Sequence, residues 1–316
     1  MLVSQHARRR MSETGITPHA LSTGGYREHI VPRGPHRLYA RDYAGEEPAI
    51  LLLHGFPDSL HLYDRLVPEL ARRRVVTFDF LGWGRSDKPA GYAYTASNQT
   101  GDLDAVIKHL QLASVVLVAH DASGPPAIDW ALEHPARISG LVLLNTYYCR
   151  MPGRLRSPEA IWLFSTPIVR RVARSVSMWF GGLVFRRLYR WQVRRFFRDG
   201  EVAAQFIPQL YEQFTVSPTA HEAFFGLNRD LRSTLSSRRA EIPRLRRFTR
   251  PARIVFGAAD PYLNQRVARG LHELLPTSEL FLLRGARHYV QMDEPQQVAG
   301  LILTLPQTED PDRDVT

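Results

Sequence analysis

The stretch Val115-Val116-Leu117-Val118-Ala119-His120-Asp121-Ala122-Ser123-Gly124 constrains the fold more than any other. Its apolar, largely β-branched start reads as a buried strand, and a helical pattern through Ala127, Ile128, Trp130, Ala131 and Leu132 begins at once. A strand that turns into a helix over so few residues needs a strained tip. It also needs small residues two positions either side, or strand and helix collide. Ala119 and Ser123 supply them, and Asp121 stands where the G-x-S-x-G form of this turn carries its nucleophilic serine. Two readings of Asp121 are open on this stretch alone: a nucleophilic carboxylate, or an N-cap for the helix starting near Ala122. Ser123 is the weaker nucleophile candidate, because its own flanks are Asp121 and Pro125.

The segments around this turn alternate between strand and helix. Tyr26 to Val31 and Arg37 to Tyr43 read as strands around the turn Pro32-Arg33-Gly34-Pro35. Ala49 to Leu53 is a buried strand running into His54-Gly55-Phe56-Pro57-Asp58-Ser59, and a helix with Leu60, Leu62, Leu66, Val67 and Leu70 on one side is expected next. Val75 to Phe80 is a strand that opens into the loop Gly82-Trp83-Gly84-Arg85-Ser86. A helix over about 96 to 112 precedes the elbow strand, and Ile138 to Leu144 follows it. From Tyr147 to about Phe248 the pattern is helical only. Alternation resumes with strand Ala252 to Phe256, helix Gln265 to Leu275, strand Glu279 to Leu283 and a closing helix near Gln297 to Leu305. The expected fold is therefore α/β: a mostly parallel central sheet with helices on both faces and an inserted all-helical cap. Residues 25–146 and 249–306 form the core and 147–248 the cap, while 1–24 and 307–316 read as a disordered leader and a frayed tail.

Ligands of such sheets bind at the carboxyl ends of the strands, so residues just past strand ends carry the most weight. Asp260 follows one strand in Gly257-Ala258-Ala259-Asp260-Pro261, and His288 follows another in Gly285-Ala286-Arg287-His288. Taken singly, an Asp before Pro makes a turn and a lone His is a satisfied core or surface residue. Asp121, Asp260 and His288 in that order, each past a strand, have the order nucleophile, acid, histidine.

These residues carry a family resemblance. His54-Gly55-Phe56-Pro57, Gly82-Trp83-Gly84-Arg85-Ser86, Ala119-His120-Asp121, Gly257 with Asp260, and His288-Tyr289-Val290-Gln291-Met292-Asp293-Glu294-Pro295 resemble the α/β-hydrolase fold superfamily. Within it they resemble the branch of epoxide hydrolases and haloalkane dehalogenases, whose nucleophile is aspartate. The resemblance covers about 26–148 and 250–305 and is weak across the cap. It implies a cofactor-free, metal-free hydrolase with Asp121 as nucleophile, His288 as base and Asp260 holding the imidazole. The backbone N–H groups of Phe56 and Ala122 are then the expected oxyanion donors. A carboxylate attacking an acyl carbon makes a high-energy anhydride, whereas attack on a saturated carbon makes an ordinary ester, which a His288-activated water then cleaves.

The implied substrate is a small apolar organic molecule, first an epoxide, then a haloalkane, with an ester, a lactone or a non-catalytic ligand-binding scaffold as further readings. Haloalkane dehalogenases commonly place Trp after the nucleophile to bind halide; Ala122 stands there, so the cap would have to supply Trp162, Trp179 or Trp191. Epoxide opening needs proton donors, usually two cap tyrosines, sought among Tyr147, Tyr148, Tyr189 and Tyr211. His54, His120 and Tyr289 complete the substrate-contact candidates, His120 being equally read as a residue fixed by the elbow's geometry. Asp58 and Asp87 read as loop braces, and Phe56, Phe80, Trp83 and Trp130 as core or pocket wall.

Composition bounds the remainder. The 44% hydrophobic and 23% charged fractions are those of a globular protein, and the net charge of +10 is almost all arginine, the only lysines being Lys88 and Lys108. No nucleic-acid motif accompanies that charge. One cysteine, Cys149, excludes an internal disulfide, and Met1 to Arg10 holds no apolar signal core, which together predict a cytoplasmic protein. Oligomeric state is left open. Arginines and apolar residues interleave from Val169 to Arg198, giving a basic face and an apolar face on a helix. Two readings stand: the apolar side closes over the pocket and the arginines are solvated, or the stretch docks on an anionic membrane.

Overall fold

The computed structural model describes residues 25–149, 183–217 and 219–306. An eight-stranded sheet runs through it: β1 (Arg27–Arg33), β2 (His36–Tyr43), β3 (Glu46–Leu53), β4 (Arg73–Asp79), β5 (Val115–Asp121), β6 (Ile138–Thr146), β7 (Ala252–Gly257) and β8 (Ser278–Leu283). Their order across the sheet is β1-β2-β4-β3-β5-β6-β7-β8. The β1–β2 and β2–β4 ladders are antiparallel, and every pairing from β4 to β8 is parallel. The central strands read as unbroken apolar runs because both sheet faces are covered: Ala49 to Leu53 and Val115 to Ala119 are buried.

The helices are α1 (Ala96–His109), α2 (Gly124–Glu133), α3 (Leu183–Arg194), α4 (Gly200–Glu212), α5 (Ala220–Ser237), α6 (Ile242–Leu245), α7 (Gln265–Leu274), α8 (Val290–Asp293) and α9 (Pro295–Leu303). Local chemistry sets their starts. The Thr95 hydroxyl caps α1 by accepting from Asn98 N–H, Asp199 caps α4, and Asn264 caps α7. α2 begins with Pro125 and Pro126, which need no N–H partners in a first turn.

The expected helix after β3 is absent. Leu60–Tyr63 and Val67–Leu70 form two short 3-10 turns instead, Pro68 lying in the first turn of the second. Proline there has no N–H to continue a helix from the preceding turn, although Leu60, Leu62, Leu66 and Leu70 are still buried. α3 to α6 lie between β6 and β7 in sequence. They are fastened to the sheet's loops: Tyr289 N–H donates to Phe196 O, Arg198 N–H to Asp293, and Arg238 forks onto Asp129 of α2. Of the membrane-stretch residues, Val169 to Gly182 lie outside the described ones.

Candidate active site

Asp121 ends β5 with φ +49°, a left-handed backbone that costs a side-chain-bearing residue energy and so marks a held position. Ser123 helps hold it. Its buried hydroxyl accepts from His120 N–H and donates into the carbonyls of Leu53 and His120, which removes Ser123 as a nucleophile. The N-cap position of α2 belongs to Ser123, so Asp121 is no helix cap. Gly55 completes the elbow: a Cβ there would stand 2.7 Å from Asp121 Cβ and 2.7 Å from His120 Nδ1. Only glycine lets the β3 loop approach this closely.

That approach brings the backbone N–H of Phe56 to 3.1 Å from Asp121 Oδ2, and the N–H of Ala122 also donates to this carboxylate. The other oxygen, Oδ1, faces His288 Nε2 at 3.9 Å. His288 Nδ1 lies 2.8 Å from Asp260 Oδ2. Asp260 is fixed in turn by the N–H groups of Tyr262 and Leu263 on Oδ1, at 2.7 and 3.1 Å. The three residues named from sequence order thus meet at one sheet edge. Asp121's side chain keeps 14% exposure and His288's 4%, so the nucleophile candidate is the more accessible of the pair.

The electrostatics follow from this packing. Burial pushes the Asp121 carboxyl up, and the charge of His288 with the two N–H donors pulls it down. Burial likewise disfavours charge on His288. The carboxylates of Asp260, Asp121 and Asp58 outweigh it, and the imidazole titrates at about 9. For Asp121 burial outweighs these pulls and the carboxyl stays above its ordinary value, while His288 holds its proton below about 9.

Two members of this cluster are not legible as site residues in the sequence. Asn145, at the end of β6 with φ +33°, donates through Nδ2 to Asp260 Oδ2 at 2.6 Å and accepts from Gly257 N–H at 2.8 Å. The signal is a polar residue directly after the apolar run Leu141 to Leu144, of a type that tolerates positive φ. Asp58, expected to brace a loop, is fully buried beside the triad. Its Oδ1 accepts from the Tyr289 hydroxyl, and its Oδ2 has no hydrogen-bond partner among the described residues. Burial first, and the charge of Asp121 further, push its carboxyl up to about 7 against the Tyr289 hydrogen bond.

The substrate-contact candidates divide. Burial and then the charge of Asp121 raise the Tyr147 phenol's pKa, which places that ring within electrostatic reach of the nucleophile position. Tyr189 of α3 is buried and donates its hydroxyl to Pro57 O at 3.2 Å, where Gln213 Nε2 also donates at 3.1 Å. Tyr211 packs against Tyr189 and Phe214 at ring distances of 5.3 and 5.7 Å. Others are engaged with protein groups. His54 is buried, with Nε2 accepting from Phe80 N–H and Nδ1 against Gly55 O, so it braces the β3 loop. Tyr148 donates to Asp129 on α2, on the far side of the β6 end. His120 is fully buried and uses Nε2 on the backbone oxygen of His288, which makes it a support for the imidazole, and Tyr289 is buried on Asp58. Trp191 is 60% exposed and points away from the site, while Trp162 and Trp179 lie outside the described residues. Phe196 covers the imidazole at 4.7 Å and Phe224 stacks on Phe56 at 4.9 Å, both from the helical insertion.

Known proteins share this arrangement's frame. The putative hydrolase LipZ of Mycobacterium tuberculosis is 28% identical over 282 residues, covering 87% of this chain and 94% of LipZ. A cis-3-alkyl-4-alkyloxetan-2-one decarboxylase of Xanthomonas campestris is 28% identical over 286 residues, covering 83% and 91%. Among solved structures, the haloalkane dehalogenase DatA from Agrobacterium tumefaciens superposes with a TM-score of 0.74 at 22% identity, over 88% of this chain and 95% of DatA. A family model described as alpha/beta hydrolase fold matches residues 48–295, and the chain belongs to that family of hydrolases.

Proposed function

We propose that the protein hydrolyses a substrate with an electrophilic saturated carbon and an oxygen leaving group, an epoxide above all, through an ester on Asp121. The observation that carries this is the division of labour between the two Asp121 oxygens. Oδ2 accepts from the Phe56 N–H at 3.1 Å, while Oδ1 is turned toward His288, and the Ala122 N–H also donates to the carboxylate. A carboxylate held so has one oxygen free to attack, and the other already sits where the later oxyanion must be stabilised. In the first step an Oδ1 lone pair forms the bond to carbon, the ring C–O bond breaks, and the departing oxygen takes a proton from a phenol. Tyr147, a phenol close enough to feel the Asp121 charge, is the candidate for that donor. With Asp121 esterified, His288 gives up the proton it carries at rest, which restores the phenol; in the second step its neutral Nε2 takes a proton from water, hydroxide adds to the Asp121 Cγ, and negative charge gathers on Oδ2. Collapse breaks the Cγ–Oδ1 bond and releases an alcohol carrying Oδ1, which takes the imidazolium's proton, and the Asp121 carboxyl passes its remaining proton to His288.

The leaving group is argued from donors. Phe56 and Ala122 have no side-chain N–H; of the described indoles, Trp130 Nε1 is spent on Asp104, 3.4 Å away, Trp191 is exposed, and Trp83 packs against Phe56 at 5.5 Å. A halide needs such donors, whereas an alkoxide needs a proton. The oxetanone of the decarboxylase relative is likewise a strained oxygen ring. The test is one turnover in water enriched in heavy oxygen, enzyme in excess over epoxide, followed by mass analysis of product and protein. Label should enter the Asp121 peptide and be absent from the first product. Label in the first product means that water attacked directly, and the proposal fails. A paired panel of epoxides and alkyl halides decides the leaving group.

A further inference from the structure

Helix α3 carries apolar side chains on opposite faces, and the fold uses one of them. Tyr189 and Val193 are buried, and Phe185 packs between Tyr211, Phe214 and Phe224, so this face is the wall against the site. On the other side Leu183, Leu188 and Trp191 are 67%, 55% and 60% exposed. The expected segregation, apolar residues inward and arginines outward, therefore fails for these three. They share the solvent face with Arg187, Arg190, Arg194 and Arg195, all exposed. From 183 to 198 the chain holds no acidic residue, and among the described residues no carboxylate pairs with any of these four arginines. Arg195 instead lies over the Trp191 ring at 4.9 Å.

Solvation accounts for the arginines and leaves the exposed Leu, Leu and Trp unexplained. A nucleic acid would reward the charges and gain little from two leucines. A bilayer with anionic headgroups suits both: guanidinium groups reach lipid phosphates while Trp and Leu sink to the boundary of the acyl chains. We infer that α3 is a docking surface for an anionic lipid bilayer. It lies in the interface with Leu183, Leu188 and Trp191 downward and Arg187, Arg190, Arg194 and Arg195 at the phosphates. Its inner face holds Tyr189 on Pro57, one residue from the Phe56 donor, so a lipid-dissolved substrate would enter beside the site. The surface stands whichever bond the site breaks.

The test is flotation of the full-length protein with vesicles of phosphatidylcholine alone and of phosphatidylcholine mixed with phosphatidylglycerol. Binding is expected to the mixed vesicles only, falling about tenfold or more as added salt screens the headgroups. Arg187→Gln with Arg190→Gln should weaken it by about tenfold or more. Leu188→Ser with Trp191→Ser should weaken it at unchanged charge, with circular dichroism and melting unaltered. Absence of flotation overturns the inference. So does binding that survives the Leu188/Trp191 pair at full strength or is displaced by heparin at equal charge, which would mark a general polyanion surface. A dimer dissolved by that pair would assign the face to a second copy. A Trp191 already shielded from quencher without vesicles would assign it to another part of the chain. Either result removes the bilayer.

Discussion

Removing the charge of Asp121 should move the His288 titration, and by an amount that the geometry sets. Asp121 Oδ1 and His288 Nε2 are 3.9 Å apart. At the effective dielectric of about 20 that suits protein ion pairs, two point charges at that distance interact by about 4 kcal/mol, and delocalisation over carboxylate and ring brings this to about 2 to 4 kcal/mol. At 1.36 kcal/mol per pKa unit, that is about 1.5 to 3 units. The imidazole starts at about 9, so Asp121→Asn should bring it to roughly 6 to 7.5. Nitrogen-detected NMR of histidine-labelled protein reads this directly, with a His288→Gln sample to assign the resonance among the 12 histidines. The sign has a stability consequence. With its folded pKa raised, His288 contributes stability that is fully present below about 6.5 and lost as pH rises through about 9. Asp121→Asn should narrow that window from its upper end. A His288 pKa that stays within about 0.5 of its starting value refutes the coupling, and with it the idea that esterification of Asp121 is what turns imidazolium into a base.

Three further outcomes follow from the same contacts. His288→Gln should leave ester formation intact and slow its hydrolysis by about a hundredfold to ten-thousandfold, so that intact-protein mass spectrometry after mixing shows the protein heavier by one substrate; unaltered mass with a confirmed substrate counts against the ester. Asn145→Ala strands the buried Gly257 N–H and removes a donor from Asp260, which should cost about 1 to 3 kcal/mol in denaturant melts and lower kcat, and an undiminished kcat would show that Asp260 needs no such support. Asp58, whose carboxyl is pushed from 3.8 up to about 7, holds a proton that the unfolded chain gives up, so parent stability falls as pH rises between those values, by at most about 4 kcal/mol. Asp58→Asn should flatten that part of the stability–pH curve, and an unchanged slope would mean that the carboxyl titrates as in water.

What the sequence reveals and hides divides along a physical line. The elbow is legible because several constraints act on neighbouring residues: strand, sharp turn, small flanks and helix must all fit within Val115 to Gly124, and few sequences satisfy them by accident. Asp260 and His288 are legible because strand ends in a parallel sheet converge on one edge whatever the side chains do. Asn145 and Asp58 are hidden because a single polar residue after an apolar run looks the same whether it caps a turn or sits beside a catalytic group; only the sheet order brings β6 next to β7 and the β3 loop next to the β8 loop. The turns at Leu60–Tyr63 and Val67–Leu70 were hidden by a burial period that two 3-10 turns imitate. The tyrosines failed differently. Tyr148 and Tyr189 are three-dimensional neighbours of quite different groups, Asp129 and Pro57, and that depends on how the inserted helices sit on the core.

Proton balance ties the charged cluster to the kind of bond it suits. Opening a strained oxygen ring consumes a proton, because the departing alkoxide must be quenched, whereas loss of halide consumes none. In the resting site His288 carries a proton that the charges of Asp260, Asp121 and Asp58 hold in place against burial. On the proposed reading, alkylation of Asp121 deletes one of those charges, so the imidazole can release its proton once an alkoxide has taken one. The two demands cancel without net exchange with solvent for an oxygen leaving group and leave a surplus proton inside an enclosed site for a halide. On that reading the same deletion of charge creates the neutral imidazole that the second step requires, held through Nδ1 by Asp260 at 2.8 Å, with no partner but Asp121 facing Nε2 among the described residues. On the proposed reading a carboxylate nucleophile would do more than replace a serine in this frame: by neutralising itself it would switch its own partner from acid to base.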